Sequence, residues 1–432
     1  MAEKKDSGIH AIGRIPKEWN VVRTKYLSNI SIGLVTTMTE NYVEKEEGVP
    51  LIRNGNIRCN KIDVNGMVFL DKRFAEKNKH RQLHTGQIAT VHTGDVGTSI
   101  VIPEEYDGGL GFATIQSTPY KGVSSEFLCW FYNSAAFKNQ CIECSTGDGR
   151  QNLNLYDFVD LFVAIPKYDL QSKIASFLDK KCAEIDSLHT DIEKQIETLE
   201  EYKKSIITEA VTKGLNPDVE MKDSGIEWVG MIPKNWNLKR LGFASVMQNG
   251  YVGATQDILV DDGERYIQSL HIKDGQIMFE NDFFVTKEWG EKHPKMYKGD
   301  ILVVQTGDIG QVAIVDDEYD GCNCHALIIC HVDNVNFVSQ FLLYYLMSYA
   351  GNRELIRYQT GITLKHLNSS KIKYSKMVVP PKDEQSEIVK HLTPIIREVE
   401  LVIEDKKKQL ETLEQYKKSL IYEYVTGKKE VK

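Results

Sequence analysis

The sequence predicts an α+β protein built twice: two similar α/β domains separated by two long helices that pack as an antiparallel coiled coil, an internal pseudo-two-fold repeat. Three observations predict it. Ordered segments recur at a nearly fixed offset, short β-rich runs alternate with turns in each half, and each half ends in a long stripe of apolar residues at helical spacing.

The repeat comes first, because a missed repeat misreads the whole fold. DSGIHAIGRIPKEWN (6–20) returns as DSGIEWVGMIPKNWN (223–237), shifted by 217 positions. Gly86–Gly108 returns as Gly299–Gly321 at a shift of 213, each containing Thr-Gly-Asp and ending in Glu-Tyr-Asp-Gly. QIETLEEYKKSIITEAVT (195–212) returns at 409–426 with 13 of 18 positions identical. Within each half, VPLIRNGNI, QIATVHTGD and TSIVIP, or RYIQSLHI, DILVVQTGD and QVAIV, read as short strands bounded by Gly, Asn and Asp. Helical segments interrupt them at 125–140 and 338–356.

After Pro166, and again after Pro380–Pro381, the character changes to a polar sequence with apolar residues every three or four positions. Ile185, Leu188, Ile192, Ile196, Leu199, Tyr202 and Ile206 form the stripe in the first copy. Val399, Val402, Leu410, Leu413, Tyr416 and Leu420 form it in the second. Such a stripe needs an apolar partner, and the other helix is the available one. About 42 residues at 1.5 Å each make a rod of roughly 60 Å. The chain thus divides into a first domain (1–168), a central helical region (169–214), a second domain (215–383) and a C-terminal helical region (384–432).

Composition narrows the function. At 432 residues, with 41% apolar and 26% charged residues, the chain suits several soluble domains. It has no apolar run of membrane-spanning length and no secretory leader, so the cytoplasm is expected. The eight cysteines include Cys141/Cys144 and Cys322/Cys324 beside His325, but the pairs do not share a spacing; reduced thiols are expected rather than zinc. No phosphate-binding loop, methyltransferase signature, HExxH or GxSxG occurs. No catalysis, metal or cofactor is therefore expected of this chain. Two similar heads on paired rods describe a twin binder, and a two-fold DNA reader is one such object.

The opening DSGIEW-G-IP-W, the Thr-Gly-Asp-x-Gly core followed by Glu-Tyr-Asp-Gly, and the QIETLEEYKKS helix resemble the specificity subunits of type I restriction-modification systems along essentially the whole chain. One departure is Ala11, where the second copy has Trp228, which predicts looser packing of the first opening segment. The resemblance implies two target-recognition domains, each reading half of a bipartite, gapped duplex site, and conserved helices that set the spacer. It also implies two methyltransferase subunits docked on those helices and restriction/translocase subunits outside, with S-adenosylmethionine, ATP and Mg on those partners. Two other readings stay open: a coiled-coil scaffold with protein-binding heads, and a stand-alone methyltransferase or nuclease.

The two halves act as each other's control. Positions shared by both, such as Thr93-Gly94-Asp95 and Thr306-Gly307-Asp308, are expected to be scaffold turns. Positions that differ within a matched frame are candidates for base readout. Arg53, Asn54 and Asn56 face Gln268, Ser269 and His271; His92 faces Gln305; Gly149-Arg150-Gln151-Asn152 faces Thr363-Leu364-Lys365-His366. Arg suits guanine edges and Asn or Gln adenine edges. The formal net charge is −8, yet residues 53–81 hold eight Lys/Arg against three Asp/Glu. There Arg58, Lys61, Lys72, Arg73, Lys77, Lys79 and Arg81 are candidate phosphate contacts, as are Lys371 and Lys373 in the acid-free segment 361–376.

Overall fold

The computed structural model describes residues 3–36, 38–147, 149–281, 283–361 and 365–431. It falls into two compact units: unit 1 is Met1–Ile192 with Lys408–Lys432, and unit 2 is Glu193–Lys407. Each unit holds one mixed α/β head and one end of each long helix, a partition that follows packing rather than chain order.

In unit 1 a four-stranded antiparallel sheet runs in the order Ser99–Val101, Ile88–Val91, Thr114–Pro119, Ser28–Ile32. A second sheet runs Leu110–Phe112, Gly48–Arg53, Val68–Asp71, Tyr42–Val43, its first pair parallel. Helices α1 (Ser125–Tyr132) and α2 (Ala135–Cys144) cover the antiparallel sheet. They belong to a core in which Phe137 stacks on Tyr132 at 4.4 Å and meets Phe158 edge-on at 5.5 Å. Asn20–Arg23 pairs antiparallel with Phe162–Ile165, which brings the start of the head back to its end. From there the chain enters α3 (Tyr168–Lys213).

Unit 2 repeats this plan. Its antiparallel sheet runs Ser245–Asn249, Leu327–Val332, Ile301–Val304, Val312–Ile314, and its second sheet runs Leu259–Val260, Phe284–Val285, Glu264–Gln268, Asn323–His325. Helices α4 (Ser339–Met347) and α5 (Tyr349–Ile356) take the places of α1 and α2, and Asn237–Arg240 pairs with Lys376–Val379 ahead of α6 (Lys382–Val425). The sheet orders of the two heads correspond strand for strand, as the duplicated sequence predicts.

Within each unit the two long helices run antiparallel. In unit 1, Phe177 packs on Tyr424 with ring centroids 4.4 Å apart, Asp186 meets Lys417, and His189 lies 4.0 Å from Glu414. In unit 2, Gln195 meets Lys406 and Lys203 lies 3.3 Å from Glu400. Rising numbers on one helix meet falling numbers on the other.

The packing register corrects the predicted stripe. Ile185, Val399 and Leu420 are buried, and Ile192, Ile196, Leu199, Ile206, Leu410 and Leu413 are half-buried. Leu188, Tyr202, Val402 and Tyr416 are not packing residues; each is 40–53% exposed. The reason is helical geometry. At 3.6 residues per turn the inward line moves from Ile185 to His189 and from Leu199 to Lys203, so a residue one step earlier points outward. Cys182, 3% exposed, fills the seven-residue gap between Leu178 and Ile185. Among the described residues, no helix is long and apolar enough to cross a membrane.

Lys203 is thus a cation on an apolar line, 7% exposed, with Glu400 at 3.3 Å and Asp274 at 3.8 Å. Its stem packs while its ammonium is paired. A buried pair is costly to break from one side and cheap to replace whole. Lys203→Met together with Glu400→Leu is expected to change the unfolding free energy by less than about 1 kcal/mol. Glu400→Leu alone, which leaves only the exposed Asp274 as partner, is expected to cost about 1–3 kcal/mol. Urea denaturation of the three variants checks the asymmetry.

Candidate nucleic-acid interface

In unit 1 three segments far apart in sequence meet along one edge of the head. Thr93 bridges Asn152, and Asn152 bridges Thr146. The Thr93 hydroxyl donates to the Asn152 side-chain carbonyl at 3.0 Å and lies 2.8 Å from His92 Nδ1. Asn54 donates to the Thr93 carbonyl at 3.0 Å, and Gly94 N–H donates to the Gln151 carbonyl at 2.9 Å. Burial lowers the His92 pKa from its ordinary value, so near neutral pH the ring is the uncharged form. Arg150 stands exposed beside this cluster. The predicted candidates Asn54, His92, Arg150, Gln151 and Asn152 therefore share one site.

The scaffold beneath them explains the shared Thr-Gly-Asp-x-Gly. Gly94 has φ of +100° and Gly307 +94°, a region side chains avoid. A Cβ on Gly97 would meet Cys141 Sγ of α2 at 3.1 Å, and one on Gly310 would meet Asn352 of α5 at 2.9 Å. Asp95 pairs with Lys138 at 3.1 Å, which offsets a carboxylate that would repel phosphate.

Unit 2 makes the same crossing with other side chains. Thr306 and Thr360 both bridge His366, and Leu367 N–H donates to the Gln305 carbonyl at 2.9 Å, as Leu153 N–H does to His92 in unit 1. His366 Nε2 lies 3.2 Å from the Thr360 hydroxyl. Gln268 and Ser269 are half-buried, and Lys365, His366, Lys371 and Lys373 are exposed. Lys373 sits over the Tyr374 ring at 5.1 Å. Thr363 and Leu364 lie outside the described residues.

Asn56 and His271 are corrected from readers to caps. Asn56 is 2% exposed; its side chain accepts from Arg53 N–H at 3.1 Å and donates to the Asp63 carbonyl at 2.8 Å. His271 is fully buried, accepts from Gln268 N–H at 3.0 Å and donates to the Asn281 carbonyl at 2.9 Å. Both close the same short 3₁₀ turn in their own unit. Two different residues can differ between halves and still do one structural job. Asn56→Ala is expected to cost about 1–3 kcal/mol of stability through the unpaired buried groups it leaves. Thermal unfolding measures that loss.

The basic stretch divides. Lys72, Arg73 and Lys77 lie exposed on a short helix capped by Asp71 and have no carboxylate partner among the described residues. The others are engaged. Arg53 donates to the Gly66 carbonyl, Arg58 pairs with Asp63 at 3.1 Å, and Lys61 pairs with Asp186 of α3. Lys79 lies 3.7 Å from Glu76, and Arg81 donates to the Gly33 carbonyl at 2.8 Å. Comparing the halves could not show this, since it reads which residues differ and not which atoms meet, whether the partner is near in sequence, as Asp63 and Glu76 are, or far, as Gly33 and Asp186 are. The shared Thr93 and Thr306, expected as scaffold, do act so: with Thr146 and Thr360 they bridge the exchanged Asn152 and His366. Among the described residues no group of His, Cys, Asp or Glu could hold a metal ion. The cysteines are free, and burial raises the pKa of Cys129, Cys141 and Cys324.

Comparison with known proteins follows the duplication. The family model described as the type I restriction modification DNA specificity domain matches twice, at residues 16–198 and 234–412. The type I restriction enzyme MjaVIII specificity subunit of Methanocaldococcus jannaschii is 24% identical, over 97% of this chain and 95% of that protein. The EcoKI specificity subunit of Escherichia coli K12 is 22% identical, over 88% of this chain and 82% of that protein. A chain from a solved structure concerned with complex assembly and conformational transition of the type I R-M system superposes with a TM-score of 0.69 at 14% identity. It covers 96% of this chain and 99% of that one, a likeness in fold alone. With two matched domains that span most of its length, each carrying the same crossing of strands and loops, this chain belongs to the type I restriction modification DNA specificity family.

Proposed function

We propose that this chain is the non-catalytic DNA-reading subunit of a type I restriction-modification enzyme, in which each head reads one half of a bipartite, gapped duplex site. The helices set the spacer between the halves and dock two methyltransferase subunits, and restriction/translocase subunits join outside them. S-adenosylmethionine, ATP and Mg belong to those partners. One observation carries the reading: a single backbone crossing presents His92 and Asn152 in one unit and Gln305 and His366 in the other. A matched frame with exchanged hydrogen-bonding side chains is what two unlike half-sites require. Exposed Lys72, Arg73 and Lys77 supply sequence-independent attraction to phosphate despite the acidic total.

Mapping methylated adenines in the host genome with and without this gene tests the reading. Loss of one gapped, two-part motif is expected. If every methylated motif persists, the heads bind something else, and protein-binding heads on a scaffold become the better account. Inserting one helical turn within 185–206 is expected to change the spacer while leaving both half-motifs as they were.

A further inference from the structure

Unit 2 carries a cationic cleft whose charged lining is not repeated at the matching positions of unit 1. It has a volume of about 700 Å³ and is lined by Trp228, Arg353, Arg357 and Lys376, with the exposed Glu227 also on its wall. Arg353 and Arg357 lie over the Trp228 ring, at 5.2 and 5.8 Å from its centroid. Beneath them Glu354, 1% exposed, acts as an organiser. One of its oxygens pairs with Arg357 at 3.2 Å, and the other accepts the Lys376 backbone N–H at 2.9 Å. Arg353 also donates to the Tyr349 hydroxyl. Neither Arg353 nor the Lys376 ammonium has a carboxylate partner among the described residues.

The same place in unit 1 shows what the scaffold needs without a ligand. There Gln140, 6% exposed, accepts the Phe162 N–H at 3.0 Å and donates to the Phe162 carbonyl at 3.0 Å. By the offsets of the repeat, Ala11, Asn139, Glu143 and Phe162 stand where unit 2 has Trp228, Arg353, Arg357 and Lys376. A neutral clamp holds that strand adequately, so a buried carboxylate with three cations around an indole is not required by folding. The Glu354 carboxylate fixes the Arg357 guanidinium, and a fixed guanidinium matches phosphate oxygens in bidentate geometry.

We propose that this cleft binds the phosphate of a nucleotide, either free or within a strand, at one site per chain. The proposal does not depend on which bases the heads read. Arg353 and Lys376 supply the free donors, Arg357 is aimed by Glu354, and Trp228 forms a flat wall beneath the guanidiniums.

The test measures binding of inorganic pyrophosphate by calorimetry, and the salt dependence of binding to a duplex without the target motif, on the full chain. The variant carries Arg353→Asn and Lys376→Phe, the residues unit 1 has in those places; should it fail to fold by thermal unfolding, Arg353→Gln alone takes its role. The unmodified chain is expected to bind one pyrophosphate, and the variant to bind it about tenfold or more weakly. If the slope of log affinity against log salt also falls by about one, the site holds a strand phosphate. A pyrophosphate effect alone assigns a free phosphorylated ligand, and a slope effect alone assigns the strand. No pyrophosphate binding together with an unchanged slope, or equal behaviour of variant and parent in both arms, overturns the proposal.

Discussion

Substituting Arg53→Gln, Asn54→Ser, His92→Gln and Asn152→His together is expected to abolish recognition of one half of the target and leave the other half intact. These are the residues unit 2 carries at the matching positions. Each base contact of this kind is worth about 1–3 kcal/mol of discrimination. Losing two of them lowers binding to the original half-site by about 30-fold to 10⁴-fold. Stability changes far less. His366 already occupies the place of Asn152 within the same crossing in unit 2, so a cost below about 2 kcal/mol is expected. Methylome sequencing of a host carrying the variant in its complete enzyme reads the outcome. An unchanged motif would remove these residues from the reading set, and altered methylation in both halves would contradict two independent heads.

The largest stability effect is expected inside the unit 1 core. Phe137 is fully buried, stacked on Tyr132 and edge-on to Phe131 and Phe158, with ring centroids between 4.4 and 6.2 Å. Phe137→Ala removes that volume from a cluster that also holds Trp19 and Phe127. Such a truncation costs about 3–5 kcal/mol, a large share of a typical domain's stability. Phe137→Leu should cost clearly less, since most of the volume is kept. Denaturation followed by tryptophan fluorescence separates the two. Equal costs would mean the ring packs loosely.

The architecture was legible because duplication is a statement about identity, not propensity: 13 matches in 18 positions between 195–212 and 409–426 need no packing argument. Helix existence was legible for the same reason that its register was not. An apolar residue every three or four positions marks a helix, but Leu188 and His189 differ only in which of two permitted steps the partner helix selects. The site was half legible. Exchange between the halves picked out Asn54, His92 and Asn152, which the fold brings together at one edge of the head. It could not separate a candidate reader from a cap, because Asn56 and His271 are as polar and as divergent as the other exchanged positions, and only the buried 3₁₀ turn distinguishes them. The cleft at Trp228 left one trace, the exchange with Ala11, whose meaning depends on Arg353 and Lys376 more than a hundred positions away.

Unit 1 is assembled from residues 1–192 and 408–432, and its apolar core includes Leu420, Ile421 and Val425. A ribosome delivers the second contribution last. At about 5–20 residues per second, some 10–40 s separate the emergence of Ile192 from that of Lys408. Unit 2 has all of its sequence by then, whereas the earlier-made head waits with part of its greasy surface uncovered. Birth order and completion order are therefore reversed: unit 2 can close while unit 1 still lacks Leu420, Ile421 and Val425 from its core.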